Sequence, residues 1–140
     1  MSERTLGIVK PDAVAAGVTG EILAAAEAAG LTIIGLRLVC MTRSQAEGFY
    51  AVHKERPFFG ELTAFMSEGP VAVFAMEGDD AISKWRAVLG ATNPEEAGDG
   101  TIRKRFGTDI ERNAAHGSDG PDTANFEIGY FFTALDLVVV

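Results

Sequence analysis

The chain has 140 residues, enough for one domain over residues 1–140, and carries a net charge of −8 at neutral pH. That charge opposes capture of a nucleic acid, and the single cysteine, Cys40, excludes an intramolecular disulfide. There is neither a secretory leader nor a run of about 20 apolar residues, so the sequence predicts a cytoplasmic protein without a membrane segment.

The first predicted element is a strand that ends at a proline. Apolar residues between Thr5 and Val9 favour a strand, and Lys10 closes it because Pro11 disfavours helix at the residue before it. Apolar residues then recur at helical spacing from Ile22 onward. We expect a helix with Thr19 as its N-cap and Gly30 just past its end.

The second predicted strand runs from Leu31 to Met41, where residues alternate with period two. This pattern places Ile34, Leu36, Leu38 and Cys40 on one face, and Ile33, Gly35, Arg37 and Val39 on the other. Cys40 is accordingly interpreted as a small buried strand residue.

Helices surround the third predicted strand. Thr42 and Gln45 form a capping-box pattern ahead of a helix that Pro57 ends. A short helical pattern follows at residues 59–66, and an apolar strand at 71–76. Another helix, at residues 81–89, begins after Asp79 and Asp80 and is closed by Gly90.

No regular pattern covers the next 25 residues or so, and such long loops are often functional. A last helix begins at Pro121. This order predicts an α+β fold, namely a ferredoxin-like βαββαβ sandwich with a four-stranded antiparallel sheet, helices on its faces and a long loop after Gly90.

The densest group of polar residues includes His116, in the segment Asn-Ala-Ala-His-Gly-Ser-Asp-Gly at residues 113–120. A position just before a helix amino terminus favours an anion such as phosphate, and neutral histidine is a competent nucleophile. From these residues alone, His116 is either a phosphate-accepting nucleophile or a solvated loop residue. His53 lies on the inward stripe of a predicted helix, so we expect it to pack or form hydrogen bonds.

Five segments resemble the nucleoside diphosphate kinase family in its order and spacing. They are TLGIVKPDAV, FYAVHKERPFF, WRAVLGATNPEEA, GTIR and NAAHGSDG, and the resemblance extends from Thr5 to about Phe132. It implies a ferredoxin-like domain that moves the γ-phosphate of a nucleoside triphosphate to a nucleoside diphosphate. It also implies a ping-pong mechanism through a phosphohistidine at His116.

The same resemblance assigns the other site residues. It implies phosphate contacts by Lys10, Arg86, Thr92 and Arg103, base stacking by Phe58, a ribose contact by Asn113, and support of His116 by Tyr50, Ser118 and Glu127. The chain has no phosphate-binding loop of the G-x-x-x-x-G-K-[ST] type, so cationic side chains and Mg²⁺ must balance the charge of the triphosphate. The Mg²⁺ is expected to be held mainly by the substrate phosphates.

Two residues depart from the family pattern. Arg105 stands where an acidic residue is common, and Gly120 stands where a serine often follows His-Gly-Ser-Asp. Arg105 either adds to the phosphate-binding charge or is solvated, and Gly120 weakens the cap of the helix that begins at Pro121. Both changes bear on loop stability rather than on the reaction.

Partners and alternatives complete the expectations. Members of the family assemble as tetramers or hexamers, and the apolar residues 137–140 would be oddly exposed on a monomer, so we expect a homo-oligomer. A non-catalytic nucleotide-binding sensor is the main alternative. Nucleic-acid binding through Arg103-Lys104-Arg105 is a third, which the net charge disfavours.

Overall fold

The computed structural model describes residues 2–139. Its strands are β1 (Ser2–Val9), β2 (Thr32–Val39), β3 (Val71–Asp79) and β4 (Ala115–Gly117). Its α-helices are α1 (Pro11–Ala15), α2 (Thr19–Ala28), α3 (Arg43–Phe49), α4 (Phe59–Met66), α5 (Ala81–Leu89), α6 (Ile102–Phe106) and α7 (Pro121–Phe131). Short 3₁₀ segments lie at Ala51–His53, Pro94–Glu96 and Ala134–Asp136.

The four strands form one sheet in the order β2-β3-β1-β4, and every neighbouring pair is antiparallel. The predicted α+β ferredoxin-like fold is therefore confirmed. Strand β1 is central, and the short strand β4 pairs with its carboxyl-terminal half. The sheet thereby holds the segment around His116 against the buried half of β1.

Apolar side chains cover both faces of the sheet because strand residues alternate between them. Along β3, Val71, Val73 and Ala75 pack into the core that α3, α4 and α7 share. Their neighbours Ala72, Phe74 and Met76 pack into the core that α2, α5 and α6 share. The predicted placement of helices on the faces of the sheet follows from this alternation.

The predicted face pattern of β2 is wrong after Ile33. A β-bulge lies between Ile33 and Gly35, so Ile34 is an extra residue and the alternation reverses beyond it. Ile34 is buried, whereas Leu36 and Leu38 are 53% and 73% exposed. Cys40, predicted to be buried on the face of Ile34, lies past the end of the strand and is exposed.

Helix boundaries agree with some of the predicted caps. Thr42 accepts the backbone N–H of Gln45, whose side chain accepts that of Thr42, so the predicted capping box is confirmed. Gly90 ends α5 with a φ of 85°, as a C-terminal glycine does. Thr19, in contrast, is the first residue of α2, and the N-cap position belongs to Val18, which offers no side-chain acceptor.

The loop after Gly90 has more structure than the sequence predicts. It contains a 3₁₀ turn at Pro94–Glu96 and the helix α6. His116, expected in a loop just before a helix, lies instead in strand β4, and α7 begins at Pro121. These elements are too short for hydrophobic periodicity to reveal.

Within residues 2–139, no helix is both long enough and apolar enough to cross a membrane.

Candidate active site

The backbone of His116, in strand β4, is held from two sides. Ile8 of β1 lies opposite His116 in the antiparallel pairing. On the other side, the indole Nε1–H of Trp85 donates to the carbonyl of His116 over 3.0 Å. Because Trp85 is fully buried in α5, this bond ties the position of His116 to the core.

Two arginines bind the carbonyls next to His116. Arg103 donates from Nη2 to the carbonyl of Ala115 over 2.9 Å, and from Nη1 to that of Gly90 over 3.1 Å. Arg86 donates to the carbonyl of Gly117 over 3.4 Å. The predicted phosphate-binding arginines thus also hold the strand that carries the histidine.

Gly117 allows α5 to pack closely against β4. A Cβ atom at this residue would lie 2.7 Å from Cδ1 of Trp85 and 3.0 Å from Cδ1 of Leu89, both closer than ordinary contact. A side chain here would therefore separate α5 from the strand.

The imidazole of His116 is oriented by a carboxylate in α7. Oε1 of Glu127 lies 2.8 Å from Nε2 of His116, and the same oxygen accepts the hydroxyl of Ser118 over 2.8 Å. The Ser118 hydroxyl in turn accepts the backbone N–H of Leu6 over 3.2 Å. Glu127 and Ser118 are both buried, so these bonds lie away from solvent.

This arrangement defines the tautomer of the ring. An ionised carboxylate accepts hydrogen bonds but donates none, so Nε2 of His116 carries the proton. Nδ1 then has a free lone pair. The His116 side chain is 16% exposed and lines a cavity, which leaves that nitrogen available to a ligand.

Lys10 lies in the wall of the same cavity and is 6% exposed. Its ammonium donates to Oδ1 of Asn113 over 2.7 Å and reaches the carbonyl of Glu111 at 3.5 Å. Burial, aided by the charge of Arg103, lowers the pKa of Lys10 from 10.5 to about 8, while the charges of Asp12 and Glu111 oppose that shift. A nearby phosphate would favour the charged form.

Asn113 is buried, and both polar atoms of its side chain are bonded within the protein. Its amide nitrogen donates to the carbonyls of Thr92 and Ile110, each over 3.0 Å, and its oxygen accepts from Lys10. Asn113 therefore joins the long loop to Lys10, the residue that follows β1. Its predicted ribose contact stays a prediction.

Aromatic residues form another part of the cavity wall. Tyr50 is buried edge-on to His116, with ring centroids 6.2 Å apart. Its hydroxyl is buried and has no hydrogen-bond partner among residues 2–139. Phe58 is 45% exposed at the cavity, and His53 packs between the rings of Tyr50 and Phe58. The packing role predicted for His53 is confirmed, although it lies in a 3₁₀ turn rather than in α3.

The cavity has a volume of about 690 Å³. Eight of the ten predicted site residues line it: Lys10, Tyr50, Phe58, Arg86, Thr92, Arg103, Asn113 and His116. Ser118 and Glu127 lie behind His116 and act on it from the core. Burial and the charge of Arg86 lower the pKa of Arg103 to about 10, so Arg103 still carries its positive charge at neutral pH.

Sequence reasoning missed several residues of the wall. Ile110, Glu61, Leu62, Asp109, Glu111 and Asp119 also line the cavity. Asp119 lies 3.8 Å from Arg86, which gives that arginine a weak acidic partner. Of these, only Asp119 lies in the polar segment at residues 113–120 that the sequence analysis predicted to be functional.

Neither departure from the family pattern reaches the cavity. Arg105 pairs with Glu21 of α2 at 3.1 Å and stacks over Phe106, so it is a surface residue rather than part of the phosphate-binding charge. Gly120 offers no side-chain cap to α7, but its own N–H donates to Oγ1 of Thr123 over 3.0 Å. Thr123 thus replaces part of the missing cap.

The fold and the cavity define a ferredoxin-like α+β protein with a ligand-binding cavity in which three cationic side chains lie around His116. A sequence model of the family described as nucleoside diphosphate kinase matches residues 3–137. The chain therefore belongs to the nucleoside diphosphate kinase family, a family of phosphotransferase enzymes.

Individual relatives agree with this assignment. The chain is 59% identical to the nucleoside diphosphate kinase of Desulfosudis oleivorans over 136 residues, which cover 97% of this chain and 98% of the relative. It is 55% identical to that of Desulfovibrio desulfuricans over 137 residues, covering 98% and 99% of the two chains.

Solved structures show the same fold. The structure superposes on the nucleoside diphosphate kinase of Aquifex aeolicus with a TM-score of 0.97 and 46% identity, covering 99% of this chain and 100% of the other. It superposes on a halophilic enzyme of Halobacterium salinarum, solved in complex with CDP, with a TM-score of 0.95 and 38% identity, covering 100% and 93%.

Proposed function

We propose that this chain transfers the γ-phosphate of a nucleoside triphosphate to a nucleoside diphosphate by a ping-pong mechanism, with His116 as the phosphate carrier. The observation that carries the proposal is the bond between Nε2 of His116 and Glu127, which leaves Nδ1 with a lone pair on a residue that lines the cavity. A neutral ring nitrogen held in one orientation is an activated nucleophile.

In the first half-reaction, Nδ1 of His116 attacks the γ-phosphorus of the triphosphate. The bond between that phosphorus and its bridging oxygen breaks, and the diphosphate leaves with the electron pair. The ring then carries a positive charge, which the carboxylate of Glu127 stabilises over its 2.8 Å hydrogen bond. The proton stays on Nε2, so no proton transfer is required.

The second half-reaction reverses these steps with another nucleotide. A terminal oxygen of a bound diphosphate attacks the phosphorus, the phosphorus–nitrogen bond breaks, and its electron pair returns to Nδ1. Because the bonds broken and formed are alike, one site serves both halves. Catalysis then consists largely of positioning and electrostatic stabilisation.

The cavity wall offers groups for the charge of the transferring phosphate. Lys10 has an ammonium N–H that is not needed for its bond to Asn113, and Arg86 and Arg103 add two guanidinium groups. The buried hydroxyl of Tyr50 has no partner among residues 2–139 and can donate to a phosphate oxygen. We infer that these four residues, with Thr92, bind the phosphates.

The nucleoside would bind at the aromatic end of the cavity. Phe58 is 45% exposed there, so its ring can stack on a base without reading its edges. Stacking of this kind accepts every base, which suits an enzyme that equilibrates different nucleotides. The predicted ribose contact of Asn113 would require a group beyond those it already binds.

We infer that Mg²⁺ arrives bound to the nucleotide. Within residues 2–139, no three His, Cys, Asp or Glu side chains are grouped so as to hold a metal ion. The cavity does offer single carboxylates, such as Asp119, of the oxygen type that Mg²⁺ accepts beside phosphate oxygens. Bound in this way, the ion would neutralise phosphate charge during transfer.

We also infer that the protein is a cytoplasmic homo-oligomer, a tetramer or a hexamer. Apolar residues concentrate near the edge strand β2, where Leu36, Leu38 and Val138 are each more than half exposed. A second copy of the chain is the partner that would cover this region. Light scattering coupled to size-exclusion chromatography tests this, and a 14.8 kDa species at micromolar concentration would refute it.

Steady-state kinetics test the reaction. Initial rates with ATP varied at several fixed concentrations of GDP should give parallel double-reciprocal lines, the pattern of a substituted enzyme. The His116→Ala variant should be inactive, and His53→Ala, which alters the other histidine of the chain, should keep the pattern. Intersecting lines would contradict a covalent carrier, and nucleotide binding without turnover would favour the sensor alternative.

A further inference from the structure

The backbone immediately before His116 is strained. Ala114 has a φ of 76°, in the left-handed region that residues with a Cβ rarely adopt. The N–H of Ala115 bonds to the carbonyl of Asn113 over 2.9 Å, which closes a three-residue turn around Ala114. Such γ-turns with positive φ are rare and persist only where the surroundings hold them.

Two residues just after β1 hold this turn, Lys10 and, in α1, Asp12. Oδ2 of Asp12 accepts the N–H of Ala114 over 3.1 Å. The backbone N–H of Lys10 donates to the carbonyl of Ala114 over 2.9 Å. Both polar atoms of Ala114 are thus bonded to the segment at residues 10–12, and Ala114 itself is fully buried.

The turn lies next to the candidate nucleophile. Strand β4 begins at Ala115, and His116 follows. A turn that relaxed to negative φ would redirect the chain at the start of this strand, and the ring of His116 would move relative to the cavity. A change in the Asp12 bond would therefore reach His116 through the backbone of Ala114 and Ala115.

We propose that Asp12 is a positioning residue, which holds Ala114 in its left-handed turn and thereby places the ring of His116. The inference rests on the proposed role of His116 as the phosphate carrier. Asp12 does not line the cavity, so it does not act by touching the nucleotide.

The surroundings of Asp12 strengthen its bond to the turn. Its Oδ1 atom is buried and has no hydrogen-bond partner within the described part of the chain. Burial also raises the pKa of the Asp12 carboxyl above its ordinary value. A hydrogen bond in such a poorly solvated place is stronger than one in water.

Matched variants separate the effect of the Asp12 hydrogen bond on the position of His116 from the effect of the Asp12 charge. Asp12→Ala removes the acceptor, Asp12→Asn keeps an acceptor oxygen without the charge, and Ala114→Gly accepts positive φ without strain. Asp122→Ala is the control, because Asp122 also follows a proline at the start of a helix but is exposed. The readouts are the single-turnover rate constant for His116 phosphorylation by Mg·ATP and the imidazole ¹⁵N NMR signals of His116 without nucleotide.

We expect Asp12→Ala to slow phosphorylation by about tenfold to a hundredfold, the scale of a misplaced reactive group, with less change in the KM for ATP. Asp12→Asn should remain within about threefold of the wild type, because the hydrogen bond persists. Adding Ala114→Gly to Asp12→Ala should recover part of the loss. The His116 signals should shift in Asp12→Ala and return in Asp12→Asn.

Other results would overturn the proposal. If Asp12→Ala reacts like the wild type, or if Asp12→Ala and Asp12→Asn fall equally with unchanged His116 signals, then Asp12 does not position the ring. If Asp12→Ala fails to fold, Asp12→Asn and the double variant give the same comparison. If the wild type forms no phosphohistidine, the proposed function fails, and the NMR signals still decide whether Asp12 places the ring.

Discussion

Oε1 of Glu127 lies 2.8 Å from Nε2 of His116, and it accepts the hydroxyl of Ser118 at the same distance. One buried oxygen therefore sets both the orientation and the tautomer of the ring. In the proposed phosphate transfer, the same oxygen would lie beside the positive charge that develops on the imidazole. On this proposal the carboxylate has two roles, one geometric and one electrostatic.

Substitutions at Glu127 separate these roles. We expect Glu127→Gln, which keeps an acceptor oxygen but no charge, to lower the rate constant for His116 phosphorylation by about tenfold, and Glu127→Ala by about a hundredfold. Rapid-quench kinetics with Mg·ATP measure both. Glu27→Gln, an exposed change on α2, is the matched control. Equal rates for the wild type and Glu127→Ala would show that the ring needs no carboxylate.

Tyr50 provides a test in which stability and activity change in opposite directions. Its hydroxyl is buried without a partner, and burial together with the charge of Glu127 raises its pKa, so the group stays protonated. Tyr50→Phe should leave the free energy of unfolding unchanged or raise it by about 1 kcal/mol, because an unsatisfied polar atom is removed. The same change should lower kcat by about tenfold, since a donor to the phosphate is lost.

The other tyrosine supplies the control for this pair of measurements. The hydroxyl of Tyr130 donates to the carbonyl of Gln45 over 2.7 Å. Tyr130→Phe should therefore cost about 0.5 to 1.5 kcal/mol in urea denaturation, with kcat unaffected. A Tyr50→Phe variant that was less stable and fully active would contradict the role given to Tyr50.

From the lowered pKa of Lys10 we expect alkaline pH to have opposite effects on activity and on stability. Its pKa is lowered to about 8 by burial and by Arg103, against the opposing charges of Asp12 and Glu111. If the charged form binds phosphate, kcat/KM for Mg·ATP falls as pH rises through about 8, because this ratio reports the free enzyme.

Stability should change the other way. Between about pH 8 and 10.5, the folded protein has lost the Lys10 proton while the unfolded chain still binds it, so the contribution of Lys10 to the free energy of unfolding rises with pH in this window. Lys10→Met should lack both trends, which makes the difference between the two proteins the quantity to measure. A kcat/KM that stays flat up to pH 10 in the wild type would exclude a titrating Lys10 from phosphate binding.

The close packing at Gly117 predicts a structural effect. In Gly117→Ala, the new methyl group would lie 2.7 Å from the ring of Trp85, which is fully buried and cannot move outward. We expect a loss of about 1 to 3 kcal/mol in unfolding free energy and a lower kcat, because β4 is displaced. Gly129→Ala, on an exposed helical surface with no atom near the new Cβ, should instead stabilise by about 0.5 to 1 kcal/mol. A fully stable Gly117→Ala variant would show that α5 and β4 are less tightly packed than described.

Much of the fold could be predicted from hydrophobic periodicity. The strands around Ile8 and Val73 and the helix that carries Trp85 have clear patterns because one or both of their faces are buried. The bulge at Ile34 could not be found in this way. An inserted residue leaves the alternation visible in the sequence and only exchanges the faces on which the later residues lie. Strand β4 is too short, at three residues, for any period to be visible.

The sequence predicted those site residues whose side-chain type implies their chemistry. It could not predict those whose role depends on the backbone conformation. His116 lies in a polar motif, and the resemblance to the family supplied Lys10 and Arg103. The left-handed turn at Ala114 leaves no trace in the sequence, because alanine does not suggest positive φ. Asp12 therefore has no visible role until the backbone that it holds is known.

Intact-mass spectrometry after brief mixing with Mg·ATP tests the central claim most directly, followed by addition of GDP. A phosphohistidine mechanism predicts one acid-labile phosphate on the wild type and on His53→Ala, none on His116→Ala, and transfer of that phosphate to GDP as GTP. Binding of ATP with neither a labelled protein nor GTP would contradict the phosphohistidine mechanism.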